Sequence, residues 1–308
     1  MSGRKLQWST AGFSKRVMMS GSVRLFVVVE GKVLDPAFYD QVLACDPVTA
    51  ANGYEIRLVQ QITRGNVGSG GKQAALALFD EYRASNCLRQ SNNLGDRLIV
   101  FLIDRDYDDL VGSRRRSPHV IYTEHTDVEA EVFAHGDFQE GLRGALSLTR
   151  RESEDLAKHI GDPLSHIAAC WHDWIVLCCL ATAMRSACAV HPSKLSYVNP
   201  GLLGPSDVQK VGRNLTLIRN TARTPNPRGR EIQISRRVQA MTRRGDDKLL
   251  VKGKWVAPYL GVIVHRYFAG SLTVDSASFH NSITRVMVSH LDSSSGWARH
   301  WHDKLSLL

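Results

Sequence analysis

The sequence predicts an α/β fold, with a mostly parallel sheet flanked by helices and a mainly helical, basic C-terminal part. Two observations support this prediction. Short runs rich in β-branched and other apolar residues alternate with segments of helical spacing, which is typical of strand–helix–strand crossovers. Two of these runs, 23–29 and 97–103, are almost continuously apolar, as expected of strands that are covered on both faces.

The N-terminal half supplies the predicted sheet. Its first apolar run contains three consecutive valines and ends at Glu30-Gly31, whereas residues 54–62 alternate between apolar and polar side chains. Residues 1–20 are predicted to be a loose or helical lead-in. In chain order we then predict strand 23–29, helix 36–44, strand 54–62, a glycine-rich loop over 65–71, helix 72–88, strand 97–103 and strand 119–122.

After about residue 145 the pattern becomes helical. We predict helices over 151–160, 164–190, 231–241 and 256–268, and a loop over 199–229, which is rich in Gly, Pro and Asn. The predicted organisation is therefore a lead-in (1–20), an α/β domain (21–145) and a mainly helical basic domain (146–308). A chain of 308 residues has room for two domains or one large one.

The net charge of +9 is divided unevenly along the chain. Residues 1–140 carry 16 basic and 18 acidic side chains, whereas residues 141–308 carry 23 basic and 12 acidic ones. Within 210–254 there are thirteen Lys and Arg but only three Asp and Glu. Such a concentration of positive charge favours an anionic partner, for which nucleic acid is the first interpretation and an acidic protein surface the alternative.

Several classes of protein are disfavoured by composition. The six cysteines include no Cys-x-x-Cys pair, so we interpret them as small apolar residues of a reducing cytosol rather than zinc ligands or disulfides. The N-terminus lacks the apolar run of a signal peptide. The most apolar stretch, 167–190, is interrupted by charged residues and predicts a buried helix rather than a membrane span. We therefore expect a cytoplasmic protein.

Acidic residues follow the predicted strands. Glu30 comes directly after the first, and Asp104 and Asp106 follow the third with one residue between them, which on extended backbone places both on one face. The carboxyl ends of parallel strands meet at one edge of a sheet, where the carboxylates would repel one another. A hard divalent cation such as Mg²⁺ relieves this repulsion, and metal-assisted phosphodiester cleavage fits the arrangement. Taken singly, each acidic motif also fits a solvated turn.

The order of these motifs resembles the Toprim fold and, more closely, the DUF4435 family of Toprim-like proteins. The resemblance covers about residues 22–260, and each matching motif is short. The matching segments are Val29-Glu30-Gly31-Lys32 followed by Phe38-Tyr39, Gly70-Gly71-Lys72, Ile103-Asp104-Arg105-Asp106, Tyr122-Thr123 with Asp127-Val128-Glu129, and Lys252-Gly253-Lys254-Trp255. One departure is that Asp35 lies one residue later than the acidic residue of the family pattern.

The resemblance implies a nuclease that depends on Mg²⁺ or Mn²⁺. Glu30 would be general base or metal ligand, Asp104 and Asp106 would hold the metal, and Glu129 would be a further ligand. The family includes the Toprim nuclease subunit of PARIS-type antiphage systems. The resemblance to this subunit implies a toxic effector that is held on an ABC-type ATPase until a phage-encoded trigger releases it. The released effector would then cleave RNA of the tRNA class. A homodimer is expected after release, with the apolar stretch 167–190 as its candidate interface.

Basic residues complete the candidate site. Lys72 follows a loop similar to a Walker A motif, but Asn66 and Gln73 depart from that motif, so we predict phosphate binding of nucleic acid rather than ATP hydrolysis. The alternative interpretation of this loop is a flexible connector without a binding role. Lys254 is a candidate for stabilising the transition-state phosphate, or else an ordinary surface lysine. The predicted nucleic-acid-binding residues are Lys72, Arg228, Arg230, Arg236, Arg237, Arg243 and Arg244.

Three other functions compete with an RNA-cleaving nuclease. One is a non-catalytic or regulatory Toprim module that docks on an ATPase. Another is a nuclease that cleaves DNA, as the related OLD-family enzymes do. Topoisomerase or primase chemistry is disfavoured, because we find neither a zinc-binding segment nor a separate tyrosine-bearing cleavage domain.

Overall fold

A computed structural model describes residues 8–31, 33–62, 71–186, 203–272, 274–292 and 296–308. Within them the helices and strands run in this order: α1 (Thr10–Met19), β1 (Leu25–Val29), α2 (Asp35–Ala44), α3 (Pro47–Asn52), β2 (Tyr54–Leu58), α4 (Lys72–Ala84), β3 (Arg89–Asn92), β4 (Gly95–Ile103), α5 (Asp108–Val111), β5 (Val120–Tyr122), α6 (Val128–His135), α7 (Phe138–Leu146), α8 (Arg150–Ile160), α9 (Pro163–Cys170), α10 (His172–Ala183), α11 (Val208–Asn220), α12 (Pro227–Arg244), α13 (Val256–Tyr267), α14 (Ser276–Ser289) and α15 (Arg299–Leu305).

The chain divides into two compact units. The sheet unit consists of Met1–Asp104, Arg115–Glu124 and Leu291–Leu308. The helical unit consists of Arg105–Arg114 and His125–His290. Asp104 and Asp106 therefore belong to different units, and the last helix of the chain belongs to the sheet unit.

The sheet has five strands and is mostly parallel, as predicted. β1 lies between β2 and β4 and is parallel to both, with Val29 opposite Leu58 and Leu102. β4 has nine residues, and its other edge carries antiparallel β3 along its first half and parallel β5 along its last three residues. The carboxyl ends of β1, β4 and β5 consequently meet at one edge of the sheet.

Both faces of the central strands are covered, which confirms the prediction drawn from their continuous apolar runs. All five residues of β1 are buried. On one face, a core joins the strands to α1 and α4 through Phe13, Phe26, Phe79 and Phe101. Elsewhere in the unit, an aromatic cluster joins α2 to the C-terminal segment, with ring centroids 5.2–6.1 Å apart: Phe38, Tyr39, Trp297 and Trp301.

Several helices were not predicted, namely α3, α5, α6, α7, α14 and α15, and three other differences from the sequence prediction have a clear physical reason. β3 is polar (Arg-Gln-Ser-Asn), and the sequence pattern misses it because an edge strand does not need two apolar faces. The predicted helix 164–190 breaks at Trp171 into α9 and α10, and its residues beyond 186 lie outside the described ones. The predicted loop 199–229 is wrong over 208–220, where Asp207 caps α11 by accepting from the N–H groups of Gln209 and Lys210.

The helical unit packs around α10 and α13. Seven of the twelve residues of α10 are buried, including Cys178 and Cys179, and burial raises the pKa of Cys178 to about 12. Trp171 contacts the rings of Trp255 and Tyr259. Five cysteines are described and all are free thiols, of which Cys178 and Cys179 are buried and the other three half-buried, whereas Cys188 lies outside the described residues.

Membrane spans were also sought among the described residues. None of their helices is by itself long and apolar enough to cross a bilayer. One bent pair, Arg150–Cys170 followed by His172–Ala183, has the required length and composition when the two segments are taken together.

Candidate functional site

Three predicted site residues meet at the carboxyl edge of the sheet, and we call Glu30, Asp104 and Lys72 the strand-end group. Glu30 follows β1 and Asp104 follows β4, and Glu30 Oε1 accepts a hydrogen bond from the Asp104 N–H at 2.6 Å. Lys72 opens α4, and its Nζ donates to the Asp104 carbonyl oxygen at 2.6 Å. The fold therefore brings the side chains of Glu30 and Lys72 to the backbone of Asp104, which is 74 and 32 residues away from them in sequence.

The turn after Glu30 is shaped by Asp35. Its carboxylate is buried, and Oδ2 accepts a hydrogen bond from the Gly31 N–H at 2.6 Å. A Cβ atom at position 31 would overlap that carboxylate, which explains why glycine follows Glu30. Asp35 thus holds the backbone that presents Glu30. Lys32, Gly70 and most of the predicted glycine-rich loop lie outside the described residues.

The sheet unit also brings an unpredicted histidine to the carboxyl end of β5. His300 Nε2 lies 3.0 Å from the carbonyl oxygen of Tyr122, the last residue of β5. His300 Nδ1 lies 3.5 Å from a carboxylate oxygen of Glu124. The segment His300-Trp301-His302-Asp303 could be considered a metal-binding motif from sequence, but its position beside β5, almost 180 residues earlier, follows only from the fold.

In the helical unit, Asp106 is paired with a lysine that the sequence analysis did not select. Lys252 Nζ donates to Asp106 Oδ1 and lies 5.2 Å from the centroid of the Tyr107 ring. The Lys252 side chain is only 11% exposed, whereas Lys254, the predicted catalytic lysine, is exposed. Lys252 and Lys254 belong to one short motif, and the path of the backbone between them decides which side chain lies beside Asp106.

Asp106 also has an unusual backbone. Its φ of 49° lies in the left-handed region, which non-glycine residues rarely adopt, and its N–H donates to the Thr126 carbonyl at 2.7 Å. Conformations of this kind cluster at functional sites, where the surrounding structure maintains them.

Glu129, the fourth predicted ligand, lies in the first turn of α6, near the buried carboxylate of Asp127. Asp127 caps this helix, and its Oδ1 accepts hydrogen bonds from Ala130 N–H and Gly253 N–H, both at 2.9 Å. Burial and the nearby charge of Glu129 raise the pKa of Asp127 to about 6, against the opposing effect of Lys252. Gly253 packs so closely on Glu129 and Ala130 that a Cβ there would overlap them.

The six predicted arginines of α12 form two groups. The inner arginines lie nearer the buried side of the helix and hydrogen-bond to other residues of the helical unit, although two of them are themselves exposed: Arg230, Arg237 and Arg244. Arg237 donates to the Leu110 carbonyl at 2.5 Å, Arg230 to the Val111 carbonyl, and Arg244 to Asp246 at 2.7 Å. The outer arginines are exposed, on the side away from the buried residues of the helix: Arg228, Arg236 and Arg243. They make no hydrogen bond or ion pair to another described residue.

A cavity of about 530 Å³ opens at the N-terminus of α12. Three arginines are among its lining residues, namely Arg185, Arg223 and Arg230. The first N–H groups of the helix and three guanidinium groups make the surface electropositive. Of these three, only Arg230 is among the predicted nucleic-acid-binding residues, whereas Arg223 falls in the predicted loop 199–229.

The comparisons with known proteins do not identify a family. The chain matches no protein-family model, and a search of curated proteins finds no match either.

Proposed function

We propose that this protein is a metal-dependent nuclease of the Toprim type that cleaves RNA, with tRNA as the favoured substrate over DNA. One observation carries the proposal. Glu30 and Asp104 follow neighbouring parallel strands and are hydrogen-bonded to each other, and Lys72 reaches the same backbone. A carboxylate, a second carboxylate and an ammonium group at one sheet edge suit a phosphodiester substrate.

The donor chemistry of the predicted ligands fits Mg²⁺ or Mn²⁺. Glu30 and Asp104 of the sheet unit offer carboxylate oxygens, which hard divalent cations prefer, and Asp106 and Glu129 of the helical unit have the same donor chemistry. Such a metal, when bound, would polarise the phosphodiester and lower the pKa of the attacking water.

The protein's own side chains have separate roles in the proposal. The Asp104 N–H orients the Glu30 carboxylate, which accepts a proton from the nucleophile. Lys72 offers positive charge to a phosphate oxygen from the start of α4. In the helical unit we assign stabilisation of the transition-state phosphate to Lys252 rather than Lys254, because the Lys252 ammonium group binds Asp106.

Substrate binding would use the basic helix. We assign phosphate neutralisation to the outer arginines and to Arg185 and Arg223 of the cavity, because Arg230, Arg237 and Arg244 already bind backbone carbonyls or Asp246. We therefore propose that only part of the predicted basic surface contacts nucleic acid. Binding should weaken steeply as the salt concentration rises.

The biological setting rests on the family resemblance. We propose a cytoplasmic toxic effector of antiphage defence that is restrained by an ABC-type ATPase, released by a phage-encoded trigger and active as a homodimer. The chain purified alone corresponds to the released form, so its activity can be measured without the partner.

The test is cleavage by the purified chain in Mg²⁺ or Mn²⁺, with total tRNA and plasmid DNA as parallel substrates. We expect cleavage of tRNA, its loss in EDTA, and a decrease of at least about 100-fold in Glu30→Gln and Asp104→Asn. Asp96→Asn is the matched control, because Asp96 is an exposed residue at the opposite end of β4. Lys252→Met should lower cleavage more than Lys254→Met.

Each other outcome counts against a stated part of the proposal. Cleavage of plasmid DNA alone would overturn the choice of RNA and favour the OLD-like alternative. Absence of cleavage by folded wild-type chain, or full activity of Glu30→Gln, would overturn the nuclease assignment and favour a non-catalytic module that docks on an ATPase.

A further inference from the structure

A second cluster of chemically active side chains lies in the helical unit, on and just before the helix that carries Glu129. We call it the buried triad: His125, Glu131 and His135. Glu131 and His135 are four residues apart on α6, so both lie on one side of that helix. His125 precedes the helix, in the segment that follows β5.

The donor atoms of the triad converge. Glu131 Oε2 lies 3.0 Å from His125 Nδ1 and 3.3 Å from His135 Nε2, and the three donor atoms lie within 4.8 Å of one another. In a tetrahedral site with metal–nitrogen bonds of about 2.0–2.1 Å, neighbouring donors are roughly 3.3 Å apart. The spacing therefore suits a small cation bound by all three side chains.

The ligand type points to zinc rather than magnesium. Two imidazole nitrogens and one carboxylate oxygen are typical zinc ligands, whereas Mg²⁺ takes carboxylate, phosphate and water oxygens. The second oxygen of Glu131 accepts a hydrogen bond from the His125 N–H at 2.9 Å, which fixes the orientation of the carboxylate. Neither feature depends on the proposed nuclease activity.

Burial decides the role of such an ion. His125 is 5% exposed and Glu131 is 1% exposed, so a polynucleotide could not reach them. The triad instead ties the segment before α6 to the second turn of that helix. We propose that the chain binds one Zn²⁺ through His125, Glu131 and His135, and that this ion stabilises the helical unit without taking part in cleavage.

The lack of paired cysteines argues against a cysteine-based zinc site but not against one built from histidine and carboxylate. The signal available in the sequence is Glu131-x-x-x-His135, because this spacing puts both side chains on one side of a helix. The third ligand could be found only from the fold, since the turn before α6 brings His125 to it.

The first measurement is the metal content of the full chain after expression in zinc-supplemented medium and extensive dialysis. We expect about one zinc per chain. Removal by a strong chelator should lower the melting temperature by at least about 5 °C, and Zn²⁺, but not Mg²⁺, should restore it. His280→Gln is the control, because His280 is a half-buried histidine of the same unit outside the triad.

Variants of the triad test the ligands themselves. His125→Ala and His135→Ala should lose the zinc that His280→Gln retains. If they fail to fold, His135→Cys keeps a zinc ligand and should bind Co²⁺ with an added thiolate charge-transfer absorption. Failure to bind zinc, zinc retained by every variant, or no change in melting temperature on chelation would overturn the proposal, leaving a hydrogen-bonded triad only. None of these outcomes bears on cleavage.

Discussion

Charged residues serve different purposes in the strand-end group and in the buried triad. In the strand-end group the hydrogen bonds run to backbone atoms, and Glu30 and Asp104 stay half-exposed. In the buried triad the side chains bind one another, and Glu131 is almost completely enclosed. Burial raises the pKa of the Glu131 carboxyl, but hydrogen bonds from His125 and His135 outweigh it and hold the pKa below its ordinary value. One group is open to solvent at the edge of the sheet, and two members of the other are enclosed in the helical unit.

The largest expected effect separates the two groups by stability. Glu131→Ala should lower the free energy of unfolding by about 3–5 kcal/mol, because it removes one partner of a buried charged network. Glu30→Ala should cost about 1 kcal/mol or less, since it removes one hydrogen bond at a half-exposed position. Denaturant unfolding of both variants measures this difference. Equal losses would show that the strand-end group also holds the fold.

The next effect tests how tightly the helical unit is packed around α6. Gly253→Ala should cost about 1–3 kcal/mol, because the added methyl group overlaps Glu129 and the Ala130 backbone. Gly212→Ala is the control: Gly212 lies within α11 with no neighbouring atom in the way, so alanine should stabilise the helix by roughly 0.5–1 kcal/mol. If Gly253→Ala left the free energy of unfolding unchanged, the backbone around Gly253 would be only loosely packed against α6.

A smaller effect is expected from the inner arginines. Arg237→Ala should lower the free energy of unfolding by about 0.5–1.5 kcal/mol, because its exposed guanidinium binds the C-terminal carbonyls of α5. The neighbouring Arg236 is equally exposed but makes no such bond to a described residue, so Arg236→Ala should change stability by less than about 0.5 kcal/mol. If the two variants unfold alike, the division of α12 into inner and outer arginines is wrong.

The smallest effect concerns binding by an outer arginine. Arg236→Ala should weaken tRNA binding modestly and reduce the slope of log K against log salt concentration by about 1, as expected for one lost phosphate contact. Fluorescence anisotropy at several salt concentrations measures the slope. An unchanged slope for Arg236→Ala, together with a reduced slope for stably folded Arg237→Ala, would reverse the assignment of the two groups.

The sequence alone predicted the α/β class and all parallel strands. A strand buried on both faces needs a continuous apolar run, and such a run can be read directly from the sequence. It also placed Glu30, Asp104 and Asp106 after strands, since a polar residue ends such a run. It could not show β3, whose polar residues need no core, or α11, whose single buried residue leaves little periodic signal.

Tertiary structure decided which charged residues act together. Glu30 and Asp104 became neighbours through the order of β1 and β4, whereas the assignment of Lys252 to Asp106 depended on the direction of one turn. The division of the α12 arginines and the convergence of His125 with Glu131 and His135 likewise depend on which side of a helix is buried. Burial and hydrogen bonding are set by contacts between distant segments, so composition and spacing indicate the chemistry but not the partners.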